Sequence, residues 1–264
     1  MGYTTNNGQD FALTMRGRAY ATLESTLADP ARIARIIDLE TRNSALVEWI
    51  YGSADNKDDE ILNWTFPDVS DDLNAAIWNL ASGFYKAAAA NLRNALELGV
   101  VALYFQVRED SGKADFEKWD RGESETPSWG TTKGCISAQS SVRSFNAAIS
   151  AALVEEAHEF FKFLCNFTHG RPFDGLGGEP TNSFNLAGGG VPALVLQAFT
   201  RIADLVEETT VWIAMLWLAA YPNILRGRNF NQRFPTDGAS WLLNKPRGLD
   251  VLRWASSLTP NPHS

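Results

Sequence analysis

In the stretch FKFLCNFTHGRP, Phe161–Pro172, three side chains able to do chemistry recur at helical spacing: Lys162, Asn166 and His169, with Arg171 just beyond. A cation, an amide and an imidazole on one line can bind an anion and move a proton near neutral pH. Glu155 and His158 extend the same line, which spans about 80° of a helical wheel, while Leu153, Phe160, Phe161, Phe163, Leu164 and Phe167 fill most of the remainder. A stripe so narrow is either a thin exposed edge or the wall of a cleft. A second polar line carries Arg93 and Glu97, four residues apart. Facing each other within one chain or across a dimer, the two lines would make a pocket of opposite charges, an amide and an imidazole. Each also has a plain structural reading. Arg93 and Glu97 suit a surface ion pair worth about 0.3–0.5 kcal/mol, and His169 before Gly170 suits a helix end favoured by the dipole and closed by a left-handed glycine.

Other chemistries fit poorly. A di-iron site needs two ExxH pairs, and only Glu155–His158 supplies one in a chain with three histidines. Cys135 and Cys165 form no CxxC or metal-ligand pattern, so neither a disulfide framework nor a zinc site is expected. Cys165 stands four residues before His169 but leans towards the apolar side, where a cysteine is usually core filling. The runs GLGG and AGGG lack the Lys-Ser/Thr and the preceding strand of a phosphate loop.

The elements that would carry these lines are helical. Asp29 and Pro30 start a helix as N-cap and first helical residue, running to about Gly52. The charged, Asn-rich segment around Pro67 reads as a loop, with Ser70 or Asp71 capping the next element. From there to Arg108 the pattern predicts one long helix, with Asp72, Asn79, Ser82, Lys86, Arg93, Glu97 and Arg108 on a polar stripe and Ile77, Trp78, Ala81, Phe84, Ala88, Leu92, Leu96 and Leu103 opposite. Asn91 falls inside the apolar arc and is expected to make structural hydrogen bonds. A loop with a short turn at Asp115–Trp119 follows, then a helix over Ser141–Thr168, a Gly-rich connection and a helix over Pro192–Tyr221. Two short amphipathic pieces flank Pro246. No period-2 strand or hairpin signal occurs, so the expected class is all-α.

At 264 residues, 45% hydrophobic and 20% charged, the chain can bury a large core. Its net charge of −8 means that any nucleic-acid contact needs a local basic patch. One candidate is Arg226, Arg228 and Arg233 interleaved with Phe230 and Phe234, although a solvated loop is the commoner meaning of such a run. The greasiest run, Val211–Tyr221, is about half the length of a membrane span and continues a helix bearing Asp204, Glu207 and Glu208, so it reads as a core helix. The first residues lack the layout of a secretion signal, and Asn6 replaces the Ser or Thr of a myristoylation signal. A reducing cytoplasm and no membrane are expected.

The stretches GFYKAAAANLRNALELGVVALYF, FEKWDRGESETPSWG and FFKFLCNFTHGRP together resemble bacterial helical proteins of the HEPN superfamily, over roughly residues 70–220. The resemblance implies a bundle that dimerises and, in active members, cleaves RNA without a metal in toxin–antitoxin and phage-defence systems. The family signature is an Arg, often followed by a polar residue, and then a His. His169 matches the His, but Lys162 stands where the Arg is wanted, with six residues between the two. Lys offers a point charge in place of a planar fork, so Arg93 or Arg171 would have to compensate. The expectation is a HEPN-like bundle at 70–222, with helical extensions at 1–69 and 223–264. In it His169 is general acid or base, Asn166 orients phosphate or imidazole, Lys162 and Arg93 stabilise negative charge, and Glu97 and Arg171 contact substrate; no metal or other cofactor is called for. The alternative is a homodimeric interaction or sensor module without catalysis, engaging another protein.

Overall fold

A computed structural model of the chain describes residues 5–51, 60–168, 192–222, 224 and 246–258. All regular structure among them is helical. In chain order the helices are α1 Thr5–Leu27, α2 Pro30–Tyr51, α3 Glu60–Ala81, α4 Tyr85–Gln106, α5 Glu109–Asp120, α6 Trp129–Ser137, α7 Ser140–Ile149, α8 Leu153–Thr168, α9 Leu196–Ala220 and α10 Pro246–Leu258.

The start of α2 is as the sequence dictates: Asp29 Oδ1 accepts the Ala31 N–H at 2.9 Å, and Pro30 is the first helical residue. Two expectations fail. From Glu60 onward the segment expected as a loop is helical: α3 begins there and holds Pro67 in its interior. An interior proline costs about 3 kcal/mol, whereas Ile61, Leu62, Phe66, Val69 and Leu73 are all buried at helical spacing and contribute about 1.5–3 kcal/mol each. Burial therefore wins, and neither Ser70 nor Asp71 is a cap. Thr5–Leu27 is helical, and the loop expected after Arg108 contains α5 and α6.

The two long helices are both broken. Gly83, at φ +79°, ends α3: its N–H bonds to the Leu80 carbonyl and the Phe84 N–H to the Asn79 carbonyl at 2.8 Å. This pattern is a Schellman cap, in which a left-handed residue satisfies the last carbonyls of a helix. A Cβ on Gly83 would stand 2.6 Å from the Ala193 carbonyl oxygen, so glycine is required twice over. The chain reverses here and α4 packs along α3. Asn91 accepts from Asn79 and donates to Asp72 at 2.9 Å, the structural bonding expected of an amide among apolar neighbours. The break also explains Trp78: assigned to the apolar arc of one continuous helix, it is instead 63% exposed, because α3 and α4 bury independent faces. The second long helix breaks at Ser150, left-handed at φ 52°, where Asn146 Oδ1 takes the Leu153 N–H that starts α8.

Helix α4 is the central strut, packing on α3, α5, α6, α8 and α9. Its tightest crossing is with α9, where Ile213 carbons lie 3.2–3.6 Å from where a Gly99 Cβ would be and the buried Trp217 indole donates to the Gly99 carbonyl at 3.0 Å. Most of α9 is buried, as expected of the greasiest run. No helix among the described residues is long and apolar enough to cross a membrane. Arg35 and Arg42 on α2 clamp Glu207 of α9 at 2.7 Å each. One hydrophobic cluster runs from Leu39 and Leu46 of α2 through α4 and α9 to Val251 and Trp254 of α10, and α3 itself spans residue 70.

Candidate functional site: the seam of α4, α6 and α8

Arg93 leaves α4 on its half-exposed side. Nη2 reaches Glu97 Oε2 at 3.0 Å and Nη1 the Asn94 side chain at 3.2 Å, while Cζ lies 5.2 Å from the centre of the Phe161 ring of α8. Arg93 therefore touches α8 through Phe161, a residue on the apolar side of the line read from the sequence. Phe161 packs against Trp129, the first residue of α6, at 4.6 Å, and Trp129 stacks on His158 at 5.2 Å with the rings 12° from parallel. The result is a ladder: guanidinium, phenyl, indole, imidazole.

Local sequence explains how the ladder forms. Ser128 caps α6, its hydroxyl accepting the Thr131 N–H at 3.3 Å, which fixes Trp129 at the helix start with its ring turned into the bundle. Along α8, Leu153, Ala157, Phe160, Leu164 and Phe167 are buried, leaving Glu155, Glu159, Lys162 and Asn166 exposed and His158 half-buried at the margin. Lys162 Nζ bonds Glu159 Oε1 at 2.6 Å, so this cation is held on its own helix. Lys133 of α6 bridges to Glu155 of α8 at 2.9 Å. Each lysine and Arg93 thus carries a carboxylate. His169 and Arg171 lie outside the described residues, as do Gly170, the glycine runs and the basic stretch Arg226–Phe234.

Two donors on the seam lack acceptors. Arg93 Nε and Trp129 Nε1 are both buried without a hydrogen-bond partner, which costs about 1–3 kcal/mol for the neutral indole and more for a charged group. Burial, with Lys162 and Lys133 acting in the same direction, pulls the His158 pKa below the ordinary imidazole value, so His158 stays neutral at pH 7. Burial pushes the Cys135 thiol up, which removes it as a nucleophile near neutrality. Cys165 packs against the core. Among the described residues no group of three or more His, Cys, Asp or Glu could hold a metal ion.

Sequence reasoning placed Arg93, Glu97, Lys162 and Asn166 at or beside this seam but missed Trp129 and Lys133 and gave His158 no role. The available signal was PSWGTTKG, whose Ser-x-x-Thr spacing marks a helix start with Trp and Lys on adjacent turns. Comparison with protein-family models, curated proteins and solved structures yields no match to this chain.

Proposed function

We propose that the chain is a HEPN-like helical protein that cleaves RNA without a metal ion, using the α4–α8 seam. The observation that carries this reading is the position of Arg93, whose guanidinium sits over Phe161 on the helix that leads to His169. A guanidinium backed by an aromatic ring supplies the fork that Lys162 lacks. Its bond to Glu97 links two side chains that are 28% and 29% exposed. Such a pair is worth at most about 1 kcal/mol, less than a charge-assisted phosphate contact gives back. The unmet donors Arg93 Nε and Trp129 Nε1 add a demand for acceptor oxygens. His169 is the proton-transfer group, Asn166 orients it or the phosphate, Lys162 stabilises charge once released from Glu159, and Arg171 and Glu97 border the substrate.

The test is degradation of RNA by purified protein in the presence of a chelator. Wild type cleaves, while Arg93→Ala and His169→Ala each lose about 100-fold or more, the usual effect of removing a general acid–base or a charge-stabilising group. Wild type and both variants behaving alike would remove the seam from the chemistry. A second reading, a homodimeric module without catalysis, is favoured by one observation: Leu13, Tyr20 and Leu27 of α1 are all large, apolar and exposed.

A further inference from the structure

One edge of Arg93 is only half filled. A guanidinium presents its donors in a rigid planar fork, and the edge formed by Nε and Nη2 can take two oxygens of one oxyanion side by side. Here the Nη2 end of that edge holds Glu97 Oε2 at 3.0 Å, while the Nε end is buried and has no acceptor. Both side chains spring from α4, four residues apart, so the helix backbone sets how the carboxylate approaches. Glu97 thus occupies half of a two-point site. The seam lacks an acceptor at a second place as well. Trp129 is 9% exposed and packs on the same Phe161 ring that Arg93 covers, yet its Nε1–H is unmet.

We infer that Glu97 is an internal place-holder: it masks the Nε–Nη2 fork of Arg93 until a phosphate group displaces it and bonds both nitrogens. The exchange is favourable on two counts. An ion pair between half-exposed side chains is worth at most about fivefold in an equilibrium, whereas a phosphate on the fork supplies the acceptor that the buried, charged Nε now lacks. A planar fork also suits phosphate better than a single ammonium does. The two lysines of the seam are masked in the same manner, Lys162 by Glu159 at 2.6 Å and Lys133 by Glu155 at 2.9 Å, but these pairs have no donor left short beside them. Arg93 is therefore where an incoming phosphate gains most. The inference rests on the reading of the seam as a phosphate site given above; it adds how that site is kept closed, and it asks nothing of His169.

The test uses the full-length protein with inorganic phosphate as the probe, binding being read by titration calorimetry and by the Nε–H resonance of Arg93 in NMR spectra. Wild type is expected to bind weakly, with that resonance moving as phosphate fills the fork. Glu97→Gln keeps the shape of the side chain and drops its charge, and is expected to bind about fivefold more tightly, with folding confirmed by circular dichroism. The same change in an Arg93→Ala background is expected to gain nothing, since the masked fork is gone. Glu40→Gln on the exposed side of α2 removes the same charge elsewhere and is expected to leave the affinity unchanged. An unmoved Arg93 resonance, equal affinity in wild type and Glu97→Gln, an equal gain from Glu40→Gln, or a gain that survives Arg93→Ala would each overturn the proposal. The expected phosphate results without RNA cleavage would remove the cleavage reading and leave the place-holder standing; RNA cleavage with phosphate binding indifferent to Glu97 would do the reverse.

Discussion

At the scale of the residue, the seam depends on side chains that do two jobs. Trp129 is buried, stacks on His158 and Phe161, and still leaves its Nε1–H without an acceptor. Trp129→Phe removes the unmet donor along with some volume, so it is expected to cost less than about 1 kcal/mol in denaturant unfolding, against about 3–5 kcal/mol for Trp129→Ala. His158 gives a pH signature. Its folded pKa is depressed by burial first and by the two lysines next, so the unfolded chain binds more protons just below pH 6.5. Its contribution to stability is therefore fully present above about 6.5 and is lost as pH falls through the folded value. The imidazole resonances of His158, followed by NMR, are expected to titrate below 6.5; a midpoint above it would contradict the stacking. The polar line of α8 was legible, because helical spacing maps directly to faces, whereas the line drawn through α3 and α4 included Ser82, which is buried at the break. What was not legible was Trp129: its partners lie about 30 residues away on another helix, and no local rule connects them.

At the scale of the element, helix type was readable and helix ends were not. Periodicity identified the faces of α4 and α8, yet both long helices were drawn through a break. The α3–α4 junction turns on Gly83, and the pair Ser82–Gly83 followed by a hydrophobic residue is a turn signal that also reads as a Schellman cap, passed over in favour of the helical period. Gly83→Ala must place a Cβ at positive φ and 2.6 Å from the Ala193 carbonyl. It is expected to destabilise by about 2 kcal/mol or more and to lower the melting temperature by roughly 5 °C, measurable by thermal unfolding followed by circular dichroism. The opposite error occurred around Pro67, where loop-like composition hid a helix held by its buried side. At Pro67 local propensity was outweighed by contacts with distant helices, whereas at Gly83 the local cap itself ends the helix. Asp29, whose role is local, was read correctly, and so was the need of Asn91 for hydrogen bonds, although its partners Asn79 and Asp72 lie on α3.

At the scale of the whole molecule, α4 links the two parts of the account. Its inner face holds the core through Gly99 and α9, and its outer face presents Arg93 to α8. Net charge of −8 opposes any long polyanion, so the RNA reading demands short-range contacts at the seam. The central claim is that the α4–α8 seam performs the chemistry, and its most direct measurement is the cleavage rate of a labelled RNA in chelator by wild type, Arg93→Ala, Arg93→Lys and His169→Ala, with folding verified for each. The account expects measurable cleavage by wild type, a loss of about 100-fold or more in both alanine variants, and only partial rescue by Arg93→Lys because the fork is gone. Equal rates across all four proteins, or no cleavage by wild type, would contradict it.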